Sequence, residues 1–126
     1  MTRSVILSTA APQPVSAYSQ AIQTGSLLFL AGQIPLDPLT GQLVTGSIAE
    51  ETDRIMANLR AVLSAAGATL DNVVKTTIYL TNMADFAAFN QAYARYFTKD
   101  PPARTTVAVA ALPLGARVEV EAIAAL

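Results

Sequence analysis

The residues best suited to chemistry are a guanidinium and a carboxylate set into apolar strands late in the chain. Asp100-Pro101-Pro102-Ala103-Arg104-Thr105-Thr106-Val107 carries the first and Arg117-Val118-Glu119-Val120-Glu121 the second. Only 13% of the 126 residues are charged and 52% are hydrophobic, so a charge here needs a partner or a ligand to offset its desolvation. Pro101 and Pro102 restrict the backbone before Arg104. A planar fork of donors on a fixed stem suits bidentate capture of a carboxylate. An ion pair with Glu119 or Glu121 accounts for the same residues equally well. Glu119 and Glu121 share one strand face with Arg117, leaving Val118 and Val120 on the other. A carboxylate facing an enclosed site has its pKa raised by desolvation and shuttles protons near neutral pH, whereas one on a solvated edge does not. Spacing alone does not choose between the two glutamates.

Composition removes whole reaction classes. With no Cys and no His there is no disulfide framework, thiolate nucleophile, Ser-His-Asp triad or ordinary zinc site. Net charge is −1 and the eight Lys and Arg are scattered, which leaves no electrostatic footprint for nucleic acid. No apolar run approaches the roughly 18 residues of a membrane span, so a cytoplasmic protein without a membrane partner is expected. A mean hydropathy of +0.41 leaves more apolar surface than one small core hides, and an oligomer is expected for that reason.

The elements that must position these residues follow from periodicity. Residues 4–8 form a short edge strand, 10–16 a loop with two prolines, and 18–24 a weak strand ending at the Gly25-Ser26 turn. Residues 27–31, apolar throughout, predict a strand buried from both sides. Ser47 with Glu50 is a capping-box signature. Behind it the stripe Ile48, Ile55, Leu59, Val62, Leu63 and Ala66 predicts a helix of about five turns closed by Gly67. Residues 73–80 alternate as a strand. Asn82 caps a second helix with Asp85 in its first turn, and Phe86, Phe89, Tyr93, Tyr96 and Phe97 form its core stripe. The two segments bearing Arg104 and Glu119 predict a β-hairpin turning through Leu112-Pro113-Leu114-Gly115. The expected whole is one domain over residues 1–126, an α+β layer with both helices on one face of a mixed sheet.

The run Pro102-Ala103-Arg104-Thr105-Thr106-Val107, followed by Leu112 and by Val118-Glu119-Val120-Glu121-Ala122-Ile123-Ala124, resembles the C-terminal signature of the reactive intermediate (imine) deaminase family, RidA/YjgF. The likeness extends to residues 14–18, to Ala31-Gly32-Gln33-Ile34-Pro35, to residues 71–77, and to Asp85-Phe86 with Phe89-Asn90. The resemblance implies a chorismate-mutase-like subunit assembled as a homotrimer with clefts between subunits. It implies hydrolysis of 2-imino acids or their enamine tautomers to 2-oxo acids and ammonia, with no cofactor and no metal. Carried over residue by residue, Arg104 clamps the substrate carboxylate and Glu119 orients the attacking water, which the Thr106 carbonyl helps to hold. Tyr18 closes the cleft, and Gly32 and Asn90 shape it. Ala31 stands where archetypal members carry a Ser, leaving only its backbone N–H to contribute. Thr105 and Thr106 also depart from the common pattern. The likeness extends to divergent relatives acting on another small carboxylate, such as an aminomuconate-type deaminase, or binding one as a regulator. RNA cleavage, a label attached to some relatives, finds no site in this composition.

Overall fold

Ser47 ends an extended stretch and starts the longer helix of the structure, a computed structural model describing residues 2–126. Its hydroxyl accepts from the Glu50 N–H at 3.1 Å and donates to the Glu50 carboxylate at 3.3 Å, so α1 (Ile48–Ala65) is capped as its sequence requires. At the far end Gly67 takes a left-handed φ of +74°, and the N–H groups of Gly67 and Ala68 return to the carbonyls of Ser64 and Leu63. Ile55, Met56, Leu59, Val62 and Leu63 bury the inner face. Asn82 caps a 3-10 turn, Met83–Asp85, by accepting from the Ala84 N–H at 2.9 Å, and this turn runs into α2 (Phe86–Ala94). Phe89 and Tyr93 are buried, while Phe86, Tyr96 and Phe97 pack partly buried against the core, as their spacing predicts.

Six strands form one sheet in the order β1 (Arg3–Ile6), β2 (Ala21–Thr24), β3 (Leu27–Gln33), β6 (Val118–Ala125), β4 (Val73–Leu80), β5 (Ala103–Ala108). The predicted hairpin does not form. β5 runs parallel to β4, and β6 lies between β3 and β4, antiparallel to both. The physical reason is α2: a strand, a helix and a strand in succession return the chain parallel to where it began. β6 buries Val118, Val120, Ala122 and Ala124, and takes the central position with ladder partners on both sides.

Both helices cover one sheet face. On the other, β3 is not buried from two sides: Leu28 and Leu30 enter the core, but Leu27 is 40% and Phe29 42% exposed. Val5, Val74 and Val107 are also exposed strand residues. No described helix is long and apolar enough to cross a membrane.

Candidate active site

Thr76 and Arg104 are register partners on parallel strands, so their side chains leave the sheet on the same face. Thr76 is buried beneath α2, and Arg104 therefore rises beside that helix. Its Nη1 donates to Asn90 Oδ1 at 2.7 Å, and its Cζ stands 5.1 Å from the Tyr93 ring centroid and 5.5 Å from that of Phe86. Among the described residues no carboxylate lies within ion-pair distance of it. The surrounding cavity, about 410 Å³, is lined by Asn90, Tyr93, Ala94, Phe97, Pro101, Pro102 and Arg104. β5 is an edge strand. The Val109 N–H bonds to the Leu80 carbonyl at 2.8 Å, and backbone groups alternate along a strand, so the N–H and C=O of Arg104, Thr106 and Ala108 point to the open edge. The Thr106 carbonyl is thus available, while its buried Oγ1 has no hydrogen-bond partner.

Glu119 pairs with Tyr79 across β6 and β4 and faces away from the helices, since its neighbours Val118 and Val120 enter the core. It lines a second cavity of about 460 Å³ with Tyr18, Ala31 and Gly32; Val15, Ile34 and Leu114 supply apolar walls. Burial first, then repulsion from Glu121, raises the Glu119 pKa above the ordinary 4.5. Glu121 is differently placed. It accepts a hydrogen bond from the Tyr79 hydroxyl, whose pKa is pushed up to about 12 by that bond and by burial, and it lines a smaller cavity with Phe29 and Lys75. Among the described residues the Glu119 carboxylate has no hydrogen-bond partner.

Two supports shape this second cavity. Gly32 lies where β3 shifts register, and a Cβ there would stand 2.5 Å from Glu119 Oε2 and 2.8 Å from its Cδ. Gly32→Ala is therefore expected to push the carboxylate aside and lower any activity that depends on Glu119 roughly tenfold or more, with circular dichroism unchanged. Buried Gln20 ties down the loop that leads to Tyr18. It accepts from the Ser8 N–H at 2.6 Å and donates to the carbonyls of Ser8 and Pro12 at 3.1 and 2.9 Å. Arg117, expected beside Glu119, instead turns to the start of α1, where it pairs with Glu51 and donates to the Gly46 carbonyl at 2.7 Å. Glu51 is only 4% exposed, so Glu51→Ala removes the partner of a half-exposed cation and is expected to cost about 1–3 kcal/mol, read from denaturant midpoints.

Tyr18, Ala31, Gly32 and Glu119 are thus brought together, as are Arg104 and Asn90, but the two groups lie on opposite sheet faces with β4 between their strands. The Ala31 N–H is not free for a ligand, because it donates to the Gln20 carbonyl at 2.9 Å. Sequence reasoning missed Leu114. It lines the Glu119 cavity in a left-handed conformation, φ 58° and ψ 19°, which non-glycine residues rarely adopt. Its Pro-Leu-Gly context signalled only a turn. It also missed that Phe86 and Tyr93 face the cation, because their spacing reads as core.

A mixed sheet of this order with two helices on one face is the chorismate-mutase-like fold of the Rid proteins. The family model described as endoribonuclease L-PSP matches residues 8–126, and the chain belongs to that family, the RidA/YjgF proteins. It is 48% identical over 122 residues to the 2-iminobutanoate/2-iminopropanoate deaminase of Mus musculus, spanning 97% of this chain and 90% of that protein. The crystal structure of RidA from the Antarctic bacterium Psychrobacter sp. PAMC 21119 matches with a TM-score of 0.94 at 36% identity, covering 98% of this chain and 99% of that one. E. coli TdcF with bound serine matches with a TM-score of 0.93 at 32% identity, covering 98% of each chain.

Proposed function

We propose that the protein hydrolyses 2-imino acids such as 2-iminobutanoate and 2-iminopropanoate to 2-oxo acids and ammonia, at sites assembled between copies of the chain in a homotrimer. The observation that carries this reading is the division of the site. Among the described residues, a cation held only by neutral groups and a carboxylate with no side-chain hydrogen bond stand on opposite faces of one sheet, each lining its own cavity. A neighbouring copy that sets its β5 edge against the Glu119 cavity supplies the missing half. The exposed apolar face carrying Leu27 and Phe29 is covered in the same assembly. The mouse deaminase and the serine-bound TdcF support a small amino-acid-like substrate.

The chemistry asks little of the protein. Arg104 of one copy holds the substrate carboxylate, which sets the C=N carbon beside Glu119 of the next. Glu119 accepts a proton as water adds to that carbon and returns it to the nitrogen. Glu119 then takes the hydroxyl proton of the resulting carbinolamine and passes it to the amino nitrogen as the C–N bond breaks, releasing ammonia and leaving the 2-oxo acid. The Thr106 carbonyl orients the water, Tyr18 closes the cleft, and Gly32 and Asn90 hold the two charged groups in place. No cofactor is required, because imines already hydrolyse in water. A chain of net charge −1 without His suits this better than RNA cleavage.

Subunit complementation tests the reading. Arg104→Ala and Glu119→Gln copies, each inactive, are unfolded together and refolded as a mixture. If each site draws Arg104 and Glu119 from different copies, one interface in four pairs the two intact groups and roughly a quarter of the wild-type rate returns. No recovery in mixed assemblies would place both groups of a site in one chain and refute the composite site. Light scattering is expected to give about three times the 13.2 kDa chain mass; a monomer would remove the site altogether.

A further inference from the structure

Arg104 is exposed, yet neutral neighbours hold its guanidinium on two sides. Asn90 takes one N–H of Nη1, and the rings of Tyr93 and Phe86 lie within cation–π distance of Cζ. Of the five N–H donors of an arginine, those on Nε and Nη2 have no partner among the described residues, and these two nitrogens form an edge that fits a carboxylate bidentately. Tyr93 is itself fixed. It is 4% exposed, its hydroxyl shares a 2.7 Å hydrogen bond with Thr76, which is 1% exposed, and its ring centroid lies 5.4 Å from that of Phe89 and 4.9 Å from that of Phe97. Thr76 is also the register partner of Arg104, so one β4 residue anchors the ring beneath the cation on the neighbouring strand.

We propose that Tyr93, anchored by Thr76, is a positioning residue: an aromatic shelf that orients the Arg104 guanidinium without neutralising it, leaving its Nε–Nη2 edge for the substrate carboxylate. The inference rests on the reading of Arg104 as the carboxylate clamp. An acidic residue in the same place would orient the cation equally well, but it would occupy those donors and compete with the ligand. A ring face attracts the cation and occupies no N–H. The aromatic stripe of α2 thereby serves the core with one part of its surface and the site with another.

The test compares Tyr93→Leu, which removes the ring, with Tyr93→Phe, which keeps it and loses only the hydroxyl. Calorimetry with 2-oxobutanoate is expected to show affinity falling roughly five- to tenfold in Tyr93→Leu, with KM for the imine rising alike and kcat within about twofold; Tyr93→Phe stays near wild type. In arginine-labelled protein, the Arg104 guanidinium resonances are expected upfield in wild type and Tyr93→Phe, and shifted back in Tyr93→Leu. If Tyr93→Leu fails to fold, Phe86→Leu on the more open ring carries the same test, with an expected two- to threefold loss. Wild-type affinity in a folded Leu variant overturns the proposal, and so does equal loss in the Leu and Phe variants, since the ring face is then not the operative group. If wild type neither binds 2-oxobutanoate nor hydrolyses imines, the deaminase reading fails. The resonances then decide the shelf alone: unchanged positions in the Leu variant refute it, and the expected shift sustains it.

Discussion

Arg104→Ala is expected to lower kcat/KM for the proposed 2-imino acid substrate by on the order of 10²- to 10³-fold while leaving the fold intact. The size follows from losing a charge-assisted clamp of the kind worth about 3–4 kcal/mol when it also positions the reacting carbon. The fold survives because Arg104 is exposed, pairs with no carboxylate among the described residues, and meets α2 only through one hydrogen bond to Asn90 and two ring contacts. Arg104→Lys is expected to recover only part of the rate, since a point charge does not reproduce a planar fork. Decay of an imino acid generated in place by an amino-acid oxidase measures the effect, and decay as fast as with wild type would remove the clamp from the mechanism.

Glu119→Gln is expected to slow turnover on the order of 10²- to 10⁴-fold while 2-oxobutanoate still binds, because the amide keeps the shape of the carboxylate but cannot take the proton. The wild-type rate should fall on the acid side as Glu119 becomes protonated, through a pKa raised by burial and by Glu121 above 4.5. Glu121→Gln removes the repulsive part of that shift and is expected to move the acid limb downward. Stability runs the other way. A carboxyl whose folded pKa is raised adds stability below the unfolded value, and that contribution is lost as pH rises through the folded value. Near neutral pH the wild type therefore bears the cost of a half-buried ion that the glutamine variant lacks. The variant should melt higher than wild type at pH 7, with the gap closing below pH 4.5. Loss of 2-oxobutanoate binding in Glu119→Gln would instead make that residue part of the ligand pocket's structure.

Local chemistry explains what could be read ahead of the fold. Ser47, Glu50 and Gly67 bound α1 because capping and left-handed termination depend on residues three or four positions apart. The alternation Val118, Glu119, Val120, Glu121 fixes which carboxylates leave the core together, whichever strands lie alongside. The expected hairpin failed for the complementary reason. Leu112 to Gly115 signals a change of direction, but whether the next strand docks beside β5 or across β4 depends on the helix between β4 and β5 and on which strand fills the centre. The Ala31 N–H, expected to serve a ligand, went to Gln20 because β2 and β3 continue their pairing past the last ladder residue, a fact of register that no local pattern carries.

The amino-acid order by itself determined the absence of thiol and imidazole chemistry, the helix limits, the alternating faces of the strands, and Arg104 and Glu119 as the groups to watch, because each depends on residue type or on neighbours along the chain. Only the tertiary structure decided that these two groups stand on opposite faces of one sheet, that Glu121 is engaged by Tyr79 while Glu119 is not, and that Tyr93 lies under the cation. Those facts depend on which strands become neighbours, and strand order is set by long-range packing that short-range periodicity does not encode.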